Sequence, residues 1–443
     1  MLQKRRMNII FTVFLLLLPC AFSLGACAAL PDARLPACGS HNSDDPPIGR
    51  EDAQRDHAAL MEAVGGSPLT QGNRATLLID GEATYRAMLK ALREAKDHVN
   101  LETYIFNDDE VGDQFAELLL KKRAEGLAVN LIYDGVGCRK TAKSFFRRLR
   151  SAGVKTLEFN PVNPSGAVGG KSVFHRTHRK LLIIDGTIAF TGGINIGRAY
   201  LKSRRRDDVV SPPEDFWRDT DVMVEGPAVA EFQKLFFATW KSQGGPALSG
   251  GDYFPDPGRK GGHAVQVVGS TRGPMNRSTY LMYAAAIACA KKSVHIVQSY
   301  FAPDRPLLEA LTDASRRGVD VRIILPGSTD HAVVRRAGRQ RYGQLLESGV
   351  RVYERQGAIL HAKTAVIDGV WSTVGTTNLE MWSLAYNDEI NVVVLGPEFG
   401  ALMEKSFAHD LRQSKEILPQ EWNKRPLSER AGEFFSSLLA PWL

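Results

Sequence analysis

His178-Arg179-Lys180-Leu181-Leu182-Ile183-Ile184-Asp185 is written a second time in this chain, as His361-Ala362-Lys363-Thr364-Ala365-Val366-Ile367-Asp368. Both copies are followed at equal distance by an Asn segment, Gly192-Gly193-Ile194-Asn195 and Gly375-Thr376-Thr377-Asn378. Residues i and i+2 of an extended segment point the same way, so each His shares a face with its Lys. The run after each Lys is apolar and rich in β-branched residues, as in a strand inside a sheet. One isolated His-x-Lys would be an ordinary surface pair on a solvated strand. Two copies with matching followers require a common purpose.

Attack on a phosphorus centre suits two His, two Lys and two Asn. The ammonium groups of Lys180 and Lys363 and the amides of Asn195 and Asn378 can hold the nonbridging oxygens of a phosphodiester and neutralise charge that builds in the transition state. One His can attack phosphorus, while the other protonates the departing oxygen and later deprotonates an incoming alcohol or water. This two-step exchange calls for no metal and no cofactor.

The two motifs resemble the signature of the phospholipase D superfamily, H-x-K-x4-D-x6-G-S-x-N, which usually occurs twice. Spacing agrees throughout; the Ser position is Gly193 in the first copy and Thr376, which keeps a hydroxyl for substrate, in the second. The resemblance implies an acidic partner downstream of each His to orient its imidazole. Glu389 in Asn387-Asp388-Glu389-Ile390-Asn391 stands at that place, and alignment of Asp219–Gly226 with Glu389–Gly396 nominates Asp219 for the first half. It also implies that His178, in the N-terminal copy, is the nucleophile and His361 the general acid and then base. Asp185 and Asp368 complete the catalytic motifs and are expected to fix the motif loops.

The repeat extends beyond the motifs. Ala95–Leu101 with Tyr104-Ile105-Phe106 corresponds to Ala290–Ile296 with Ser299-Tyr300-Phe301, and helical stretches follow at Asp109–Glu125 and Pro306–Arg317. Gly126 and Gly318 then lead into second apolar strands. Alternating helix and buried strand predicts an α/β fold. The expectation is two similar αβα-sandwich halves, packed as a pseudo-twofold dimer around one shared active-site cleft. The expected segments are a leader or anchor at 1–26, a linker at 27–70, a first domain at 71–243, a Gly- and Pro-rich linker at 244–262, a second domain at 263–420, and a tail at 421–443.

Within the superfamily the chain is similar to bacterial cardiolipin synthases over about residues 75 to 415. The likeness rests on Asn100–Phe106, Ile132–Gly135, His178-Arg179-Lys180 with Gly192–Ile196, Phe216–Thr220, Val224–Ala228 and Ser299–Asp304. It implies transfer of a phosphatidyl group from one phospholipid to the hydroxyl of another, or to water. In Asn378-Leu379-Glu380-Met381-Trp382-Ser383 the chain departs from that group, because Trp382 stands where Arg is common. The implied partners are a phospholipid substrate and a membrane surface, with no obligatory nucleic acid. An exported nuclease of the same superfamily and a noncatalytic envelope lipid-binding protein are the rival readings; the first would need a groove of cations with stacking aromatics.

Lys4-Arg5-Arg6 precedes an apolar core at Ile9–Leu18, and Leu24-Gly25-Ala26-Cys27 reads as a bacterial lipobox with Cys27 the acylated residue. An uncleaved anchor and ordinary secretion are the alternatives, since Met7–Leu30 carries no charge and could span a bilayer. With the basic cluster inside, all three export the body from the cytoplasm, and the lipoprotein or the anchor keeps it membrane-associated at the bacterial cell envelope. Loss of residues 1–26 removes three cations and no acid, lowering the formal charge from +7 to +4, which does not demand nucleic acid. Arg139–Arg150 reads as a solvated helix face or an amphipathic helix on anionic lipid; Lys202–Arg206 and Arg335–Arg341 are further basic clusters. Cys20, Cys27, Cys38, Cys138 and Cys289 show no metal-ligand spacing, and Cys289 is expected in the core of a helix. His175, close to the first motif, is expected to be structural, with assistance at the cleft rim the alternative, and His331 is expected in a loop lining the cleft mouth.

Overall fold

The computed structural model describes residues 49–161, 174–201, 217–272 and 277–438. The expected leader, Cys27 and the Lys202–Arg206 cluster lie outside them. Among the described residues no helix is long and apolar enough to cross a membrane.

The first half contributes strands β1 (Thr70–Ile79), β2 (His98–Thr103), β3 (Ala128–Asp134), β4 (Lys155–Phe159), β5 (Leu181–Ile184), β6 (Ile188–Gly192), β7 (Trp217–Arg218) and β8 (Thr220–Glu225). The second contributes β9 (His263–Ser270), β10 (Ser293–Gln298), β11 (Asp320–Pro326), β12 (Arg351–Arg355), β13 (Ile359–Leu360), β14 (Lys363–Ile367), β15 (Trp371–Gly375), β16 (Glu389–Leu395) and β17 (Ser414–Glu416). Antiparallel pairing of β1 with β9 joins the halves into one mixed sheet. Outward from that junction the first half runs β1-β8-β6-β5-β2-β3-β4 and the second β9-β16-β15-β14-β10-β11-β12, with β17 added at the edge. The order is the same on both sides, so the pseudo-twofold axis passes between β1 and β9. The fold is therefore the expected one, two similar α/β halves.

The helices are α1 (Arg50–Val64), α2 (Asp80–Glu94), α3 (Glu110–Ala124), α4 (Lys143–Ser151), α5 (Val229–Ser242), α6 (Ser278–Ala288), α7 (Arg305–Arg316), α8 (Ala332–Arg339), α9 (Tyr342–Glu347), α10 (Pro397–Leu411), α11 (Pro419–Asn423) and α12 (Leu427–Ser437). The two helices expected after β2 and β10 start at carboxylate caps. Asp109 accepts the Val111 and Gly112 N–H groups at 3.1 Å, and Asp304 accepts that of Leu307 at 3.1 Å. Both end before a glycine in the left-handed region, Gly126 at φ 96° and Gly318 at φ 90°. Every residue of β2 and β3 is buried, as befits parallel strands covered on both faces. Apolar side chains from both halves, including Leu181, Val222, Val366 and Val392, share one core with Phe232 and Phe236 of α5 and Phe399 of α10.

Several sequence expectations change here. Residues 27–70, expected as a linker, contain α1, whose His57 Nε2 lies 3.1 Å from Asp368 Oδ2 and whose Met61 sulfur accepts the Trp371 indole N–H at 3.1 Å. The segment 244–262 has no helix or strand, yet Tyr253 is buried against His98. The amphipathic face within Arg139–Arg150 is not available to lipid: Phe145, Phe146 and Leu149 of α4 are buried, with Phe146 stacked 3.7 Å from Tyr133. Cys289, expected in the core of a helix, is half-buried and disulfide-bonded at the C-terminal end of α6.

Candidate active site

Each motif enters its half's sheet where it is braced by the other half. The His178 N–H donates to the Asp388 carbonyl at 2.9 Å, and the His361 N–H donates to the Arg218 carbonyl at 2.8 Å. Asp388 and Arg218 are the residues just before Glu389 and Asp219. Bridges between Thr177 and Asp388 and between Leu360 and Arg218 continue the same bracing. The two histidines are thus placed by equivalent contacts across the pseudo-twofold axis, and both motifs open into one cleft.

The bracing has a consequence that repeat alignment does not reveal: the acid partners cross. His178 Nδ1 lies 3.0 Å from both oxygens of Glu389, from the second half. His361 Nδ1 lies 2.7 Å from Asp219 Oδ2, from the first half. A carboxylate partnering the His of its own half, as alignment suggested, is therefore corrected. Burial lowers the His178 imidazole, with Lys180 and Lys363 adding to it against Glu389. Burial and then Lys363 push His361 down to about 4. Burial would raise the Asp219 carboxyl, but His361 and Lys363 hold it below its usual range.

The lysines stand beside the imidazoles. Lys180 Nζ donates to the His178 carbonyl at 2.8 Å and lies over the Tyr104 ring, 5.5 Å from its centroid. Lys363 Nζ donates to the His361 carbonyl and, at 2.7 Å, to Ser299 Oγ, and lies 5.9 Å from the Tyr300 centroid. Burial pushes Lys180 down to about 7, with Lys363 adding to it against Glu389 and Asp219, and burial pushes Lys363 down to about 8 against Asp219 and Glu389. Both lysines enter the electrostatic surroundings of both histidines. Two ammonium groups gathered beside two imidazole rings are donors suited to the nonbridging oxygens of an anion.

Other expected residues sit behind this surface. Asp185 accepts the backbone N–H groups of Lys96, Asp97 and His98, and Asp368 those of Lys291, Lys292 and Ser293. Both are at the far end of a motif strand, roughly 16 Å along the chain from the Lys at about 3.3 Å per residue. They lock β2 and β10 to the motif loops. The Asn195 side chain accepts the Ile105 N–H at 3.1 Å and donates to the Tyr200 hydroxyl at 2.7 Å. Asn378 accepts the Ser299 hydroxyl at 2.7 Å, the hydroxyl that receives Lys363. Thr376 donates to Glu389 at 2.5 Å, and Ser383 donates to the other Glu389 oxygen at 2.7 Å. Asn195, Asn378 and Thr376 thus hold Tyr200, Ser299 and Glu389 in place around the imidazoles and ammonium groups.

Gly193 explains its own departure from the superfamily pattern. A Cβ there would lie 2.0 Å from Asp219 Oδ1, so the shorter carboxylate of the first half fills the space a serine would need. Sequence reading missed Tyr104, Tyr300, Ser299, Ser383 and Asp221. The first three lie in the repeat that was aligned; Asp221, buried and raised well above its usual range by burial and then Asp219, carries no motif signal. His175 Nε2 pairs with Asp388 at 2.6 Å and His331 packs 5.4 Å from Tyr300, so both stand beside the cleft. The Trp382 indole donates to the Phe174 carbonyl at 3.0 Å at the rim next to His175.

Comparison with known proteins bears on this geometry. The sequence matches the family described as cardiolipin synthase, PLD-like domain, over residues 88–235 and 283–411. It is 36% identical over 393 residues to a cardiolipin synthase of Listeria monocytogenes serotype 4b, covering 88% of this chain and 79% of the relative. It is 35% identical over 390 residues to a cardiolipin synthase of Alkalihalophilus pseudofirmus, covering 87% of this chain and 75% of that one. The phosphatidylserine synthase of Haemophilus influenzae Rd KW20 shares the fold at TM-score 0.61 and 14% identity, over 88% of this chain and 100% of the other. With duplicated His-Lys motifs facing one cleft and two matched domains along its length, this chain belongs to the phospholipase D superfamily, in its cardiolipin synthase-like family.

Proposed function

We propose that this phospholipase D-type enzyme transfers a phosphatidyl group from one phospholipid to the hydroxyl of a second, as a cardiolipin synthase does, through a phosphatidyl-histidine. The crossed contacts of the two imidazoles with Glu389 and Asp219 carry the reading. A carboxylate only accepts, so each Nδ1 holds a proton; the Nε2 of neutral His178 is turned to the cleft with its lone pair, and His361, taken to the imidazolium when the phosphodiester binds, carries a second proton on Nε2. His178 Nε2 attacks phosphorus, the bond to the head-group oxygen breaks, and that oxygen takes the proton of His361 Nε2. In the second step His361 Nε2 removes the proton of the acceptor hydroxyl, whose oxygen attacks phosphorus as the P–N bond breaks. His178 is returned neutral.

Lys180 and Lys363 hold the nonbridging oxygens. Their depressed ammonium groups gain the missing counter-charge when a phosphodiester enters, which favours their charged forms and also the imidazolium of His361. Asp219 and Glu389 fix the imidazoles; Thr376 and Ser383 fix Glu389. The enzyme works at the cell envelope, held to the membrane by its N-terminal segment with the body outside the cytoplasm.

The test is full-length protein in phosphatidylglycerol vesicles, without added metal, read by mass spectrometry. Cardiolipin and glycerol should form, and His178→Ala or His361→Ala should reduce the rate by at least about 10³-fold. Ordinary turnover in either variant, or cleavage of plasmid DNA in place of lipid, would overturn the assignment.

A further inference from the structure

Helix α12 (Leu427–Ser437) is amphipathic the wrong way round for a helix at a protein surface. Its buried residues are polar, Glu433 and Ser436. Glu433 accepts Arg339 Nε at 3.0 Å and Arg425 Nη1 at 2.6 Å, and the helix packs against α8 through this face. Its exposed large apolar residues are Leu427 (77%), Phe434 (50%) and Phe435 (65%), with Leu438 (54%) just past its end, beside exposed Ser428, Glu429 and Arg430. Leu427, Phe434 and Leu438 fall at i, i+7 and i+11, one stripe on a helix, with Phe435 beside it. These four are among eleven exposed large apolar residues in the whole described structure, a concentration that marks a contact surface.

The surroundings say what the surface contacts. In the run from Ala332 to Arg341, which includes α8 and holds no acid, Arg336 is exposed and Arg341 half-buried, while Arg335 and Arg339 are paired with Glu354 and Glu433. Lys424 and Arg430 are exposed beside the apolar stripe, with Glu421 of α11 and Glu429 of α12 exposed as well. An apolar stripe flanked by cations is the chemistry that lies in the interface of an anionic bilayer, with the apolar face roughly 5–10 Å below the head groups. The position fits as well. Helix α8 starts at His331, whose ring is 5.4 Å from Tyr300, and Tyr300 is 6.3 Å from the ring of His361. The helix that carries α12 thus begins at the mouth of the cleft.

We infer that α12 is a membrane-docking element, which sets its apolar stripe into an anionic phospholipid surface and brings the mouth of the cleft against the bilayer. The inference rests on the lipid reading of the site only for its purpose; the docking itself follows from the surface of α12 and α8.

Two measurements on the full-length protein test it. A nitroxide at position 434, carried on Phe434→Cys in vesicles of equal parts phosphatidylglycerol and phosphatidylcholine, should be accessible to oxygen and shielded from a water-soluble nickel chelate. The Phe434→Ser/Phe435→Ser variant should lose about tenfold or more of its activity on vesicle phosphatidylglycerol, while keeping activity on a short-chain phosphatidylglycerol below its micellar concentration within about twofold. A label open to the nickel chelate, or shielded equally without vesicles in a particle with the mass of a dimer, would overturn the proposal. So would unchanged activity on vesicles. If the parent protein turned over neither substrate, the functional reading would fail, and the label would still decide the docking.

Discussion

Replacement of Asp219 by Asn should disable His361, the imidazole of the opposite half, and leave His178 able to react. The contact from Asp219 Oδ2 to His361 Nδ1 is 2.7 Å long, and both side chains are buried. Breaking a buried charge pair by neutralising one partner costs about 3–5 kcal/mol. Exerted on the transition state, that is a loss of roughly 10²- to 10⁴-fold. An amide can also present its N–H to Nδ1 and favour the wrong tautomer, which acts in the same direction. The loss should fall on steps that move a proton through His361: departure of a poor leaving alcohol, and activation of the acceptor. A p-nitrophenyl ester of phosphatidic acid needs no proton on its leaving group. With that substrate Asp219→Asn should release about one equivalent of p-nitrophenol in a fast burst and then stall, because the phosphatidyl-histidine cannot be resolved. Glu389→Gln should suppress the burst itself, since Glu389 holds His178 at 3.0 Å. Rapid-quench measurement of burst amplitude distinguishes the two. A burst kept in Glu389→Gln and lost in Asp219→Asn would refute the reasoning, as would full turnover of phosphatidylglycerol by Asp219→Asn.

Three further outcomes are expected. Gly193→Ser restores the residue of the superfamily pattern, yet its Cβ would meet Asp219 Oδ1 at 2.0 Å; urea unfolding should show a loss of about 1–3 kcal/mol and turnover should fall at least about tenfold, so a serine variant as active as the parent would contradict this account. His57→Ala removes a buried partner of Asp368 at 3.1 Å and should lower stability by about 1–3 kcal/mol while kcat stays within about threefold, because the contact braces a motif loop and not the cleft; a large fall in kcat with no loss of stability would count against it. The pH profile of kcat/KM should have an acid limb below the usual histidine value of 6.5, since burial favours the neutral, nucleophilic His178 and protonation as pH falls removes its lone pair. Its alkaline limb should fall near pH 7–8, where Lys180 and then Lys363 lose their charge in the free enzyme as pH rises, and the limb for kcat should lie higher because bound phosphodiester favours the ammonium forms; a kcat/KM flat to pH 10 would rule this out.

The motif pairs and the strand and helix order were legible in the sequence because they are local. His-x-Lys spacing sets a common face, and the caps Asp109 and Asp304 and the glycines 126 and 318 mark where helices begin and end. The pairing of Asp219 with His361 was not legible, because it depends on how Leu360 and Arg218, far apart in sequence, come into register across the halves. The intramolecular partners of Asn195, Asn378 and Thr376 were hidden for a related reason. Their residue types suit phosphate, but whether an amide faces a ligand or Tyr200 is decided by packing depth alone. The basic helix α4 gave a false membrane signal since a helix with one apolar face can use it on its own core. The apolar stripe of α12 could be recognised only once Glu433 and Ser436 were seen to face inward.

The central claim is that both duplicated motifs act on a single phosphorus atom, and a crystal structure of the full-length protein with tungstate tests it most directly. One oxyanion should be bound, within hydrogen-bonding distance of Nε2 of both His178 and His361 and of Nζ of both Lys180 and Lys363. Two separate oxyanions, each held by the His and Lys of one half alone, would contradict it.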